Sequence, residues 1–440
     1  MKILLVCPKY KFEGYTPTGL ASIATIAESL GHKVKIVDLN IEPLPRDDYD
    51  LIGITGLSLW KKQIIETSKK LDRTPVIVGG PWASLYPYDA LSNSSIDYVC
   101  VGEGEETFRD FLLYYPNIEN VESIGYKAKE EVKLNHPRPF INNLDNLPFP
   151  AWHLIKLRRY RRVSVVTSRG CPFHCIFCSD HTLLGRRWRA RSVLSVVSEI
   201  EMLVTKYRVK HITFGDENMT LIPERVEEVC ENIIKKGIKA EFDAIQGVRA
   251  DKLSPKLLGL MKKAGFTEII VAPESGSQRV LDEVIHKNLD LSVVEPVVRK
   301  CKEIGLRCGA FFVIGFPWET MEEIQETVKF ADKLRGFGCS CYVGNALPFP
   351  DTELYAKAKA EGFLRYDGKE LENILYYLGK PREVHCLTSP YWKPEEITKI
   401  CEHEGKKNLR SVYGQYSLGE VLSKFAHHPI RSFRKALRWF

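Results

Sequence analysis

Val163-Ser-Val-Val-Thr-Ser-Arg-Gly-Cys-Pro-Phe-His-Cys-Ile-Phe-Cys-Ser179 is the stretch on which the reading of this 440-residue chain turns. It begins as an apolar strand and breaks at Gly170 into a loop that carries Cys171, Cys175 and Cys178. The chain has twelve cysteines; nine are scattered and these three fall within eight residues. Close cysteines in a Gly/Pro-bearing loop predict a metal site rather than buried thiols. A structural zinc site closes its shell with four ligands, commonly as two pairs, and His174 and His181 stand at no zinc-finger spacing. Three thiolates on an iron–sulfur cubane instead leave one iron without a protein ligand. A vacant iron is a place for a cofactor or substrate, so the pattern points to a catalytic centre.

Working outward, strand and helix patterns alternate from Arg162 onward. The strand candidates are Val163–Thr167, His211–Phe214, Ala240–Ile245, Glu268–Val271, Arg307–Val313 and Cys341–Leu347, with helical patterns such as Leu194–Tyr207, Pro223–Lys236 and Met321–Arg335 between them. This alternation predicts a parallel sheet with right-handed crossovers, closing as a partial (β/α)6 TIM-type barrel whose site lies at the strands' C-terminal ends. The first 130 residues alternate in the same way. Lys2–Cys7, Lys33–Val37, Leu51–Thr55, Val76–Gly79 and Asp97–Val101 read as strands, and Gly19–Leu30, Lys61–Leu71 and Glu106–Tyr115 as helices. They predict a doubly wound, Rossmann-like α/β domain. It lacks both G-x-G-x-x-G and a P-loop lysine, which argues against a dehydrogenase or an NTPase. The expected organisation is residues 1–130, a linker 131–160, the barrel 161–350, and a mainly helical region 351–440 ending in a basic amphipathic segment.

Composition narrows the class. Apolar residues are 44% and charged residues 27%, the balance of a globular chain. No apolar run approaches the roughly 20 residues of a membrane-spanning helix, and the N-terminus enters a strand without a signal-peptide h-region. The chain reads as cytoplasmic, with peripheral attachment to the inner membrane surface left open. The net charge of +7 is local, because Glu404 to Phe440 holds eight basic and two acidic residues. The near-neutral body excludes a nucleic-acid-binding surface. At the end of the chain, Ile430, Phe433, Leu437 and Phe440 share one helical face and Arg431, Arg434, Lys435 and Arg438 lie largely on the others. Two readings stand, a membrane-surface anchor and a terminal helix docked on the body. Arg186, Arg187, Arg189 and Arg191 likewise read either as an anion site or as a structural tie. Cys301, Cys308, Cys339, Cys341, Cys386 and Cys401 are enough for an auxiliary cluster, but their spacing is irregular.

Cys171-x3-Cys175-x2-Cys178, with Phe177 before the last cysteine, resembles the signature of the radical S-adenosylmethionine (SAM) superfamily. The resemblance implies a 4Fe–4S cluster whose open iron takes the amino and carboxylate groups of SAM, reductive cleavage to a 5′-deoxyadenosyl radical, and a one-electron reductant such as a flavodoxin or ferredoxin. Gly215-Asp216-Glu217 is similar to the family's Gly-Gly-Glu-like segment for the SAM ammonium, departing from it by an aspartate at the second position. Gln246 and Arg249 end the third strand on the same cofactor. Glu274-Ser275-Gly276 resembles the ribose-contacting segment, and Ile314 and Gly315 the stretch against adenine. The N-terminal domain, with Leu147-Pro148-Phe149-Pro150-Ala151-Trp152 after it, resembles the cobalamin-binding branch. This implies cobalamin contacts at Pro17, Gly19, Gly56, Ser58, Gly79, Gly80, Gly102, Glu103 and Gly104. The Asp-x-His-x-x-Gly cobalt-ligating segment is missing, since none of the eleven histidines has that context. Together the cofactors imply methylation of an unactivated carbon in a small-molecule or lipid (isoprenoid) substrate. The alternative is non-methylating radical chemistry, such as cyclisation or rearrangement, with the N-terminal domain as a scaffold without cobalamin.

Overall fold

Ile3, Leu4, Leu5 and Val6 are each no more than 1% exposed. A strand buried on both faces belongs inside a parallel sheet, and each such side chain contributes roughly 1.5–3 kcal/mol on burial. A computed structural model describes residues 1–10, 16–71, 74–128, 131–365 and 386–415. They form two compact units. The first holds Met1–Pro172, Ser179–Glu217 and Lys235–Glu241, and the second Phe173–Cys178, Asn218–Ile234 and Phe242–Phe440. The division departs from the expected boundary at 161, because the first two barrel-segment strands lie in the first unit.

That unit contains β1 (Lys2–Cys7), α1 (Thr18–Ser29), β2 (Lys33–Asp38), β3 (Leu51–Thr55), α2 (Lys61–Lys69), β4 (Val76–Gly79), α3 (Pro81–Leu85), α4 (Pro87–Leu91), β5 (Tyr98–Cys100), α5 (Gly104–Tyr114), β6 (Ile124–Ala128) and β7 (Glu131–Leu134). The sheet order is β2-β1-β3-β4-β5-β6-β7. The first five strands are parallel and the last two antiparallel. The hairpin β6–β7 is absent from the sequence expectation, and the boundary expected at residue 130 falls inside it. Its strands alternate with Lys127, Glu131 and Lys133, so they read as polar loop. Lys127 Nζ nevertheless seals the hairpin on the sheet by donating to Asn93 O (2.5 Å) and Ile96 O (2.7 Å). The unit continues through β8 (Val163–Val165), β9 (Ser168–Arg169), α6 (Asp180–Leu184), β10 (Arg189–Ala190), α7 (Val193–Thr205) and β11 (His211–Phe214). β11 pairs in parallel with β8.

α8 (Pro223–Lys235) and β12 (Glu241–Val248) lead into the second unit, which holds α9 (Pro255–Ala264), β13 (Phe266–Glu274), α10 (Val294–Glu303), β14 (Arg307–Ile314), α11 (Met321–Gly336), β15 (Ser340–Asn345), α12 (Glu353–Ala360) and α13 (Pro394–Gln415). β12 to β15 pair successively in parallel, so the expected strand–helix order is realised. Local chemistry sets the helix ends. Ser254 caps α9 ahead of Pro255, and Gly265 ends it in the left-handed region. Thr320 and Glu323 form a reciprocal capping box on α11. Ile430–Phe440 lies outside the described residues. Among the described residues no helix is long and apolar enough to cross a membrane.

Two positions in the second unit carry sharp stability consequences. A Cβ on Gly276 would lie 2.6 Å from Thr327 Cα and 2.8 Å from Glu326 O, both backbone atoms of α11. Gly276→Ala is therefore expected to destabilise the protein by about 1–3 kcal/mol, read from the urea midpoint. Glu319 is fully buried; its Oε2 accepts from the Gly315 N–H (2.7 Å) and the Phe316 N–H (3.3 Å). Its Oε1 has no hydrogen-bond partner among the described residues, and burial raises its pKa from 4.5 to about 8. The folded state thus holds a proton that the unfolded chain releases above about 4.5. Stability falls as pH rises toward 8 and is level beyond it. Glu319→Gln should remove that component, seen as a flatter dependence of Tm on pH between 5 and 8.

Candidate active site

The cysteine loop is held by its backbone. The Cys171 N–H donates to Gly185 O at 3.2 Å, the Cys178 N–H to Cys175 O at 3.0 Å, and the Ile176 N–H to Ile285 O at 3.0 Å. Gly170 has φ +84°, and a Cβ there would sit 2.5 Å from Arg187 O, so only glycine fits the turn into Cys171. Cys171, Cys175 and Cys178 are half-buried, whereas eight of the other nine cysteines are buried. Among the described residues no three potential ligand side chains are already drawn into a coordination shell. Partly exposed thiols on one glycine-hinged loop fit a cluster; Cys301, Cys308, Cys339 and Cys341, all buried, read as core.

The segment after β11 divides its two acids. Asp216 Oδ1 accepts from the Thr167 N–H (2.9 Å) and Oγ1 (2.9 Å) and from the Ser168 Oγ (2.7 Å), with a further bond from the Ser168 N–H. This oxygen ties the end of β11 to the strand exit that leads into the cysteine loop. Glu217 lies on the wall of a cavity of about 320 Å³. Its Oε2 is buried without a hydrogen-bond partner among the described residues. Burial raises its pKa to about 8; Asp180 and Asp216 push the same way and Arg169 opposes. Of the two carboxylates, Glu217 is the one on the cavity lining.

The same cavity is lined by Gly19, Gly79, Gly80, Gly102, Glu103 and Gly104, at the carboxyl ends of the parallel strands and the start of α1. That is where doubly wound sheets bind ligands. A Cβ on Gly19 or Gly102 would meet nothing within 4 Å, so these glycines leave a cradle that a side chain would fill, and the site fits a large ring cofactor. Pro17, Gly56 and Ser58 are not on this lining. Gly56 has a packing reason, since a Cβ would come 2.7 Å from Ile64 Cδ1. Glu103 lies on the lining with its carboxylate paired to Arg169 and Arg189. Leu147, Pro148 and Pro150 line the cavity, and Trp152 Nε1 donates to the buried Glu199 at 2.9 Å. Arg191 also pairs with Glu199. Arg189 and Arg191 are thus committed to ion pairs, and the structural reading of that arginine run holds for them.

In the second unit, Arg249 donates to Lys287 O and Asn288 O, both at 2.8 Å, and its guanidinium lies 3.9 Å from the Phe173 ring. Glu274, at φ +70°, accepts from Lys287 Nζ at 3.0 Å. Burial opposes the charge of Lys287, but Glu274 and then Cys175 outweigh it and hold the ammonium above the ordinary lysine range. Ser275 Oγ bonds Thr327 Oγ1 at 3.1 Å, and the Gly276 N–H donates to Thr327 Oγ1 at 2.9 Å. Ile314 and Gly315 precede the Glu319 tie, Phe177 lies 6.1 Å from Phe316 between ring centroids, and Gln246 is exposed. The sequence reading missed Lys287, Glu319, Thr327 and Glu105. The doubled pattern Gly102-Glu-Gly-Glu105 is a signal that could have found Glu105.

Comparison with known proteins agrees with this geometry. Residues 165–331 match the model of the radical SAM superfamily, and residues 2–112 that of the B12 binding domain. An uncharacterised methyltransferase of Pyrococcus horikoshii is 33% identical over 393 residues, covering 83% of this chain and 84% of the relative. The cytidylyl-2-hydroxyethylphosphonate methyltransferase of Streptomyces wedmorensis is 26% identical, over 87% and 84%. The fold is shared with the radical SAM methyltransferase TsrM of Kitasatospora setae, at a TM-score of 0.72 and 17% identity, covering 95% of this chain and 89% of that one. The chain belongs to the radical SAM superfamily, in the cobalamin-dependent branch whose enzymes join a B12 binding domain to the SAM-cleaving domain.

Proposed function

We propose that this enzyme transfers a methyl group from SAM to an unactivated carbon of a small-molecule or lipid substrate. The observation that carries the reading is the cavity in which glycine strand ends and the Glu217 carboxyl share one wall. When bound, the cluster supplies the electron that cleaves SAM and the cobalamin supplies the methyl group. The protein's part is placement. Cys171, Cys175 and Cys178 hold the cluster. Glu217 accepts from the SAM amino group, with Phe177, Gln246, Arg249, Glu274, Ser275, Gly276, Ile314 and Gly315 assigned to the rest of SAM. Gly19, Gly79, Gly80, Gly102 and Gly104 admit the corrin, because a side chain at these positions would occupy its space. Each turnover consumes two SAM and two electrons. One SAM leaves as S-adenosylhomocysteine, the other as methionine and 5′-deoxyadenosine, and the substrate C–H becomes C–CH3. The electrons come from a flavodoxin- or ferredoxin-type carrier.

The decisive test is anaerobic reconstitution with iron, sulfide and cobalamin, then incubation with methyl-deuterated SAM and metabolite or lipid extract. The expected result is cobalamin absorbance retained on the protein, a labelled product, and S-adenosylhomocysteine and 5′-deoxyadenosine in equal amounts. 5′-Deoxyadenosine with an altered but unlabelled product would replace this reading by non-methylating radical chemistry.

Glu217 makes a separate prediction. With its carboxyl near pKa 8, Glu217 becomes a charged acceptor for the N–H groups of the SAM amino group only after a proton leaves. SAM affinity should therefore rise as pH increases from 6 to about 8, with proton release visible in titration calorimetry as a dependence on buffer ionisation heat. Glu217→Gln should weaken SAM binding by about tenfold or more, the scale of a lost charged hydrogen bond, and abolish that pH dependence.

A further inference from the structure

The turn after β5 and the strand before the cysteine loop are joined by four buried charges. β9 and β10 pair antiparallel with Arg169 directly opposite Arg189, an arrangement that like charges disfavour. Two glutamates from Gly102-Glu103-Gly104-Glu105 resolve it. Arg169 reaches Glu103 Oε1 at 2.9 Å and Glu105 Oε1 at 2.6 Å. Arg189 Nη1 contacts both oxygens of Glu103, at 3.0 and 2.8 Å. Side-chain exposure is 3% for Arg189, 4% for Glu103, 9% for Glu105 and 16% for Arg169. The neighbouring backbone completes the lattice: Arg189 donates to Ile141 O and Leu184 O, both at 2.6 Å, and the Ile141 N–H donates to Glu103 Oε2 at 2.7 Å.

Charge is balanced within the quartet, so it is not built to hold an ionic ligand. Buried ion pairs also stabilise poorly compared with apolar packing, and the planar, forked guanidinium of arginine makes such a contact directional. What the arrangement supplies is register. Glu103, Glu105 and Arg169 line the same cavity as Gly102, Gly104 and Glu217. Arg169 is separated from Cys171 only by Gly170, whose turn has no room for a side chain. The Cys171 N–H is then pinned to Gly185 O. The wall of the corrin cavity and the first cluster ligand therefore share one rigid connection with little slack.

We propose that Glu103, Glu105, Arg169 and Arg189 form a positioning clamp that sets the separation between the corrin cavity and Cys171, the first cluster ligand, and so couples SAM cleavage to methyl transfer. The inference rests on the functional reading above and adds to it residues whose charged groups are spent on one another.

The test uses the reconstituted full-length holoenzyme. Pulsed dipolar electron paramagnetic resonance measures the distance distribution between the reduced cluster and cob(II)alamin, and product analysis measures the ratio of 5′-deoxyadenosine to S-adenosylhomocysteine. Arg169→Gln is expected to keep iron and cobalamin loading within twofold of the wild type. It should broaden or shift the distance distribution and raise the ratio at least fivefold, and Arg169→Lys, which keeps charge without the fork, should fall between. Glu105→Gln, a milder change on the other side of the clamp, gives the same readouts if Arg169→Gln does not fold. Lys61→Met breaks an ion pair with Asp89 (2.8 Å) outside the clamp and should leave both readouts at wild-type values. Wild-type distances and ratios in the clamp variants overturn the proposal, as does an equal change in Lys61→Met. A wild-type protein that binds no cobalamin overturns the functional reading itself, and the clamp with it.

Discussion

One carboxylate oxygen organises the catalytic end of the first unit. Asp216 Oδ1 accepts hydrogen bonds from the backbone and hydroxyl of both Thr167 and Ser168. A buried carboxylate is costly unless it is saturated with donors. Four donors from one dipeptide converge on Oδ1 and lock the exit of β8 to the end of β11. Everything downstream inherits that position: Arg169, the glycine turn at 170, and Cys171. Its neighbour Glu217 lies on the cavity wall, where burial raises its pKa to about 8.

The cavity follows one rule. Apart from Glu217 its charged side chains are paired within the protein, and the rest of its surface is glycine and apolar side chain with the hydroxyls of Thr18, Ser22 and Thr55. Arg169 offsets the burial of Glu105 and holds that carboxyl below its ordinary range, while Glu199 is shared by Trp152 and Arg191. Glu217 is the exception. A pocket so arranged offers shape and apolar area to a large ring, with a single titrating group for a charged ligand. The second unit works in the same style, pairing the buried Lys287 with Glu274 and anchoring Ser275 and Gly276 to α11 through Thr327. Residues whose motif suggests ligand contact are thereby fixed in place before any ligand arrives.

Much of this was readable in the chain because its signals are local. Three cysteines in eight residues and buried β-branched runs at regular intervals are short-range patterns, and the strands at Lys2–Cys7, Leu51–Thr55, Val76–Gly79 and His211–Phe214 emerge with the bounds the pattern predicts. The β6–β7 hairpin escaped because its alternating lysines and glutamate resemble a solvated loop. Glu103 lies on the cavity lining, but its pairing with two arginines was not legible, because a glycine-rich strand end does not reveal which carboxylate will meet a cation.

The amino-acid order alone determined the metal-binding loop, the alternating architecture and the glycine positions that open the cavity, since these depend on spacing, backbone freedom and side-chain period. Tertiary structure decided which charged groups are spent on one another and which remain for chemistry. Glu103 is separated by 66 residues from Arg169 and by 86 from Arg189, and the outcome for Asp216 against Glu217 turns on donors about 50 residues earlier. Partnerships over such separations are set by how strands stack and where burial removes water, neither of which is written in any short stretch of sequence.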